Sequence, residues 1–595
     1  MSSIQYGRQS YGMIIGAFIS NFISVLIISF FLTLVIDLIS LKYIWPKFYP
    51  FIFEAWSTTM QSFKQNPFRS IEVFYTTITE NIRIHIDYYG LSKLATISLA
   101  SFLSLFFGMM FLFKSRGKSL FREGYVRGAR LIPEDEYTHE VKSVTKKLAK
   151  EIKQDTGNSI KIGSLWGKPF AISHNQKIEI PEASLGRTIL ARGMPGSGKT
   201  TLIKHFLERA RGCGEKCFIV DPNGEFYSQF GQSGDTILSL YDKRSELWEF
   251  QNECHRGKGF NLTKYAEFLV AEGRKGGDEI WWKGPRAVLK FLFENTKSSK
   301  ELLQFIEGMD KGAMAYIEGI ARSAAGQVGS KQEAGIVGGT VLDLQFLEHL
   351  NHWPSKNGKT KPFSIYDWSQ NMDRNWVFIT YADDDKAVSS PLIRIWTNLA
   401  ILGTLAREES NRNIPLNVVI DELGDVGAIE LLPSALRRFR KYQGRLLLGL
   451  QTEYQFFDQY PQDRAKDMRA LIGNHVVFRV TDPQEAAAAS KLLGEMELVR
   501  RRSSERLKRD TLTISETEFK KPVVMPEEFS TLGDGHFFLK SLGINPVQSR
   551  VKNKRWSKRN PLHKECHAYP PVKQSKKFRS FLEDEPKNNG DENEF

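Results

Sequence analysis

Residues Gly193-Met194-Pro195-Gly196-Ser197-Gly198-Lys199-Thr200 combine glycines, a lysine and a hydroxyl in one short stretch. Glycines let a backbone curl until successive N–H groups point at one anion. A lysine at the seventh position can reach the outer phosphates of a nucleoside triphosphate. The hydroxyl after it suits a hard cation such as Mg²⁺. The plainer reading is a glycine-rich turn ahead of a helix, and the flanks decide between the two. Arg187–Arg192 (RTILAR) reads as a short strand, and TLIKHFLERARG reads as an amphipathic helix ending near Gly212. Strand, GxxxxGKT, helix is the context of a Walker A motif. The expected ligands are ATP and Mg²⁺, held by Gly193 to Thr200 together with Thr201.

Such a loop needs a distant carboxylate. Leu416-Asn417-Val418-Val419-Ile420 is an apolar run that ends in Asp421-Glu422. A buried parallel strand would deliver both acids to the sheet edge where α/β sites gather. Asp421 is expected to hold Mg²⁺ with Thr200, and Glu422 to polarise the attacking water. A turn or helix cap is the plainer role for such a pair. Arg445–Leu450 (RLLLGL) leads into Gln451, which is either a γ-phosphate sensor at a strand tip or a solvent-facing loop residue. Lys216–Val220 leads into Asp221-Pro222-Asn223-Gly224-Glu225.

These motifs require a mostly parallel sheet with crossover helices. Trp376–Thr380 and Asn474–Val480 supply further strands. The stretch 245–370 lacks strand signals, and GPRAVLKFLFEN and KELLQFIEGMD have helical periodicity. It reads as an inserted all-α domain between two halves of a nucleotide-binding domain, 131–244 and 371–570.

With 595 residues and 41% hydrophobic composition, the chain is a multi-domain globular protein. Its net charge of +14 favours an anionic partner, nucleic acid or membrane. Ordinary surface lysine with positive-inside anchoring would give the same total. Four cysteines without metal-ligand spacing read as reduced thiols.

Two charge-free apolar runs, about 13–36 and 94–113, are each long enough to span a bilayer. Lys114, Arg116, Lys118, Arg122, Arg127 and Arg130 follow the second. The positive-inside rule then places both termini in the cytoplasm and loop 37–93 outside. Residues 1–130 are the expected membrane anchor. Leu498–Arg509 reads as a basic linker, and 571–595 as an acidic flexible tail.

Taken together, GMPGSGKT, FIVDPNGEF, IWWKGPRAVL, VVIDELG and LLLGLQTEYQF, in this order behind two spans, resemble the TraD-type branch of the conjugative type IV coupling proteins. The resemblance covers nearly the whole chain. More distantly, it extends to the chromosome-pumping translocases of cell division. It implies an α/β RecA-like P-loop ATPase core with an inserted all-α domain and a two-helix transmembrane anchor, assembled as a homo-hexamer on the bacterial inner membrane. The implied activity is ATP hydrolysis that drives single-stranded DNA from a relaxase-bound complex into a type IV secretion channel. A receptor mainly for protein effectors and a chromosome-handling DNA translocase are the alternatives.

By the same resemblance, Lys199, Thr200, Asp421, Glu422 and Gln451 occupy the hydrolytic positions. Arg440 matches an arginine that reaches the neighbouring subunit's nucleotide. Arg437, Arg438 and Lys441 are rivals for that role, or the segment is a solvated basic face. Asn223 stands where many members have lysine. Arg274, Lys275, Lys283 and Arg286 are candidate DNA contacts or plain surface charges. The acidic tail is either solvated or a docking peptide for a relaxosome accessory protein.

Overall fold

The computed structural model describes residues 124–156, 169–172, 178–254, 263–270, 279–326, 330–350, 361–454, 459–505, 512–541 and 543–562, with Ser57, 99–100 and 103–104. The first expected membrane span, the loop apart from Ser57, the second span apart from 99–100 and 103–104, Arg274, Lys275 and the tail 571–595 lie outside these residues. Among the described residues no helix is long and apolar enough to cross a membrane.

The chain divides into two units, residues 1–126 with 497–519, and residues 127–496 with 520–595. The second unit is an α/β core around a nine-stranded sheet. Its strands are β1 (Ile189–Arg192), β2 (Lys216–Pro222), β3 (Thr236–Leu238), β4 (Val377–Tyr381), β5 (Leu416–Ile420), β6 (Gly444–Leu450), β7 (Asn474–Val477), β8 (His536–Ser541) and β9 (Val547–Arg550). Their spatial order is β9-β8-β7-β1-β6-β5-β2-β4-β3. From β7 to β3 every pairing is parallel, while β8 runs antiparallel to both β7 and β9.

The central strands are apolar along their length because both faces are covered. Leu190, Phe218, Val220, Val418, Ile420, Leu446 and Leu448 point into one core. Their alternates Ile189, Ala191, Cys217, Ile219, Val419 and Leu447 point into the other. The second core is closed by α1 (Lys199–Gly212), whose Leu202, Ile203, Phe206, Leu207 and Ala210 are buried in it. The first is closed mainly by helices from the long interval between β3 and β4: α3 (Thr263–Leu269), α4 (Ile280–Glu294), α5 (Ser299–Gly308), α6 (Lys311–Ala325) and α7 (Ser330–Asp343). Every described element of that interval is helical, and its buried side chains are continuous with the sheet's own core. Two further helices matter below, α2 (Glu225–Phe230) before the interval and α8 (Lys386–Leu405) after β4.

The expected basic linker at Leu498–Arg509 is a strand over Glu495–Glu505, the middle of a three-stranded sheet between Gly124–Gly128 and Leu512–Pro522. The run of arginines hid this, because the later segment LTISETEFK supplies the pairing that makes it a strand.

Candidate functional site

Four strand tips meet at one edge of the sheet. β1 runs into Gly193, β6 into Gln451, β5 into Asp421, and β2 carries Asp221. Since β6 lies between β1 and β5, Gln451 stands between the phosphate loop and the acids. Gly449 permits this close approach: a Cβ there would overlap the Asp421 carbonyl oxygen.

The loop is held from below and open above. Its glycines Gly193, Gly196 and Gly198 have φ of 153°, 76° and 122°, values that L side chains disfavour. The Gly193 N–H donates to the Leu450 carbonyl at 3.2 Å, and the Met194 N–H to that of Arg479 at 2.9 Å. On the far side, the Gly535 N–H donates to the Ser197 carbonyl at 2.9 Å. The loop rests on Phe478, which a Cβ on Gly193 would meet at 2.7 Å. Toward solvent, Pro195 and Gly196 are exposed, and a Cβ at Gly196 would have nothing within 4 Å. Helix α1 starts at Lys199 with Gly198 as an N-cap that offers no side-chain acceptor. The N–H groups of its first turn, Thr200 and Thr201 included, thus have no intrahelical partner and present a positive dipole end. Ser197 Oγ is buried without a hydrogen-bond partner among the described residues. This donor set fits a chain of phosphates.

Lys199 curls back so that Nζ donates to the Gly193 carbonyl, and to that of Met194 at 3.3 Å. Burial lowers its pKa, and the charges of Glu422 and Asp421 pull it back up. Across the sheet, the Thr200 hydroxyl donates to Asp421, 3.1 Å from Oδ2 and 3.3 Å from Oδ1. Burial raises the Asp421 carboxyl, offset by this hydrogen bond and by Lys199. Burial likewise raises Glu422, opposed by Lys199 and by a hydrogen bond from Gln451. The hydroxyl and carboxylate oxygens of Thr200 and Asp421 form part of a hard-cation shell that phosphate oxygens and water would complete.

Four partners of this site were not singled out in the sequence. Asp221 accepts from the N–H groups of Phe226 at 2.9 Å and Tyr227 at 2.7 Å and so caps α2. Burial pushes its carboxyl up to about 8. Glu225 pairs with Lys204 on α1. Asp425 pairs with Lys386 and accepts from the Tyr381 hydroxyl at 3.3 Å. Arg192, the last residue of β1, is paired with Glu453, two residues past Gln451. The motif DPNGE and the acid in QTE were visible in the sequence. Their pairings depend on the fold.

Arg440 is not with the others. It is exposed in a short 3₁₀ turn, Phe439–Tyr442, just ahead of β6 and therefore at the opposite edge of the sheet. Its side chain lies against Gly186, and its charge lowers the pKa of Arg187 secondarily to burial. Its rival Arg437 is paired with Asp467 at 3.1 Å. Of the suggested DNA contacts, Arg286 is tied internally to the Val270 carbonyl at 2.8 Å and Glu430 at 3.1 Å. Lys283 pairs with Glu279.

Residues 173–551 match the family described as type IV secretion-system coupling protein DNA-binding domain. The chain belongs to this family. Among the curated relatives of this coupling protein is coupling protein TraD of Escherichia coli (strain K12), 25% identical over 506 residues. That match takes in 80% of this chain and 66% of TraD, slightly under two thirds of the relative's length. Among solved structures, the unbound monoclinic form of bacterial conjugative coupling protein TrwBdeltaN70 superposes with a TM-score of 0.59 at 23% identity, covering 75% of this chain and 97% of that one. Plasmid coupling protein TrwB in complex with ADP and Mg²⁺ gives 0.58 at 24%, again over 75% and 97%. These likenesses establish a shared fold.

Proposed function

We propose that this coupling protein is an ATP-driven pump for single-stranded DNA, working at the cytoplasmic mouth of a conjugative type IV secretion channel. The observation that carries the reading is the Thr200–Asp421 contact with Gln451 and Glu422 beside it. A nucleotide clamp would need the loop alone. A hydrolytic site also needs a base and a sensor, and Glu422 and Gln451 beside the loop suit those roles. The TrwB complexes with ADP and Mg²⁺ and with the ATP analogue ADPNP support nucleotide as the ligand.

In the proposed reaction the loop's N–H groups and Lys199 neutralise the triphosphate. Thr200 and Asp421 would hold Mg²⁺, which supplies further neutralisation of charge on the phosphates. Glu422 takes the proton of the attacking water, and its raised proton affinity suits that task. Gln451 holds Glu422 in place and stands beside the loop, so the state of the terminal phosphate can alter that hydrogen bond. Arg440, exposed at the other sheet edge, acts on the nucleotide of the next subunit in a homo-hexamer.

The anchor follows from the two apolar runs. Residues 13–36 and 94–113 cross the bacterial inner membrane, with loop 37–93 outside and both termini cytoplasmic. The helical interval 245–370 acts as the inserted domain. A relaxase with its accessory protein delivers the DNA, docking on the acidic tail 571–595, and the channel proteins receive it.

The test is ATP hydrolysis by the full-length protein in detergent, with and without single-stranded DNA. Stimulation by DNA is expected. No stimulation at any protein concentration that permits oligomers would sink the pump reading.

A further inference from the structure

The family match ends at Val551. The next eleven residues form no regular element, yet they are firmly held. The Val551 N–H donates to Gly535 at 2.8 Å. The Lys552 carbonyl lies 2.7 Å from His205 Nε2 on α1. Trp556 packs against His205 at 4.9 Å and Phe230 at 6.2 Å between ring centres. The N–H groups of Arg559 and Asn560 both donate to the Ser228 carbonyl, at 2.7 and 3.0 Å. Arg244 donates to the Pro561 and Leu562 carbonyls, at 2.9 and 3.1 Å. The segment is therefore a strap laid across α1 and α2, ending on Gly224, where a Cβ would overlap the Leu562 carbonyl oxygen.

The strap reads KNKRWSKRNPL. It has Lys552, Lys554, Arg555, Lys558 and Arg559, all exposed, and no acid. Among the described residues only Lys554 has an ion pair, with Glu208. The frame fixes the backbone, and the cations between residues 552 and 558 fall within a span of at most roughly 20 Å. A segment that lies in a lipid interface adds an apolar face to its basic charge. Of the strap's two large apolar side chains, Trp556 is committed to His205 and Phe230, and Leu562 sits at the far end against Gly224.

We propose that the strap Lys552–Leu562 is a binding site for the phosphate backbone of single-stranded nucleic acid, built on the outside of the phosphate-loop helix. The site rests on the DNA-pump reading and adds to it a contact outside the family's DNA-binding domain. Through Gly224 and Arg244 it also touches the turn that Asp221 closes beside the nucleotide site.

The test uses the full-length protein in zwitterionic nanodiscs and a fluorescent oligonucleotide titrated over a range of salt. The variant is Lys552→Ala/Arg555→Ala/Lys558→Ala, which removes charges that have no ion partner among the described residues. Affinity should fall roughly tenfold, and the slope of log K against log salt should drop by about 2, three phosphates at ~0.7 each. ATP hydrolysis without DNA should stay unchanged. A wild-type affinity and slope in the variant would overturn the strap site and leave the pump reading standing. Failure of the wild type to bind any oligonucleotide would overturn both. A photo-crosslinking side chain at Ser557 supplies a second arm: capture of the oligonucleotide supports the proposal, and capture of phospholipid alone refutes it.

Discussion

The proposed chemistry rests on a few side chains whose neighbours dictate what their loss should do. Glu422 is half-buried and held by Gln451. Glu422→Gln keeps the size and the neighbouring contact but removes the base, so kcat should fall by about a hundredfold or more while nucleotide affinity is retained. Steady-state kinetics beside equilibrium binding of a labelled nucleotide would check this, and equal losses in both would count against Glu422 as the base. Gly449 offers a different kind of test. Its alanine variant would drive a methyl into the Asp421 backbone, at a cost of about 1–3 kcal/mol or more. Thermal melting should register the destabilisation, and turnover should fall with it. The residue types of the candidate site were legible in the sequence. This glycine was not, because nothing local in RLLLGLQ says that another strand's carbonyl presses on it.

Among elements, the sheet edge beneath the site carries a pH dependence of its own. His475 in β7 is buried, and burial together with the charge of Arg192 lowers its pKa to about 3. The unfolded chain binds a proton there near pH 6.5, while the folded chain does not. Stability is therefore complete above about 6.5 and is lost as pH falls toward 3. His475→Gln should narrow the difference in Tm between pH 7.5 and pH 5 relative to the wild type, and an unchanged difference would remove His475 from the account. Strands and helices of the core were readable from apolar runs and from the helical period of GPRAVLKFLFEN. The strand at Glu495–Glu505 was not, since a row of arginines obscures a pairing contributed by a distant partner. The strap was missed for a related reason. KNKRWSKRN has no periodicity, and only the frame of Ser228, His205 and Arg244 gives it a shape.

For the molecule as a whole, the sheet has two unlike ends. Glu422 and Asp421 lie at one, and the exposed Arg440 at the other. If Arg440 completes a neighbour's site, Lys199→Ala and Arg440→Ala proteins should each be inactive alone yet recover part of their ATP turnover when mixed and reassembled. Absence of recovery at every mixing ratio would confine Arg440 to a role within its own chain.

The position of β1 in the sheet has a consequence for synthesis. Its neighbours β6 and β7 are both encoded some 250 residues or more further along. While the chain is still emerging from the ribosome, the strand that carries the phosphate loop waits with both edges bare. It is enclosed only when residues near 477 have been made, after about half a minute or more at ordinary elongation rates. Nascent chains of this protein thus have a long interval in which a chaperone can occupy that strand and in which no nucleotide can be turned over.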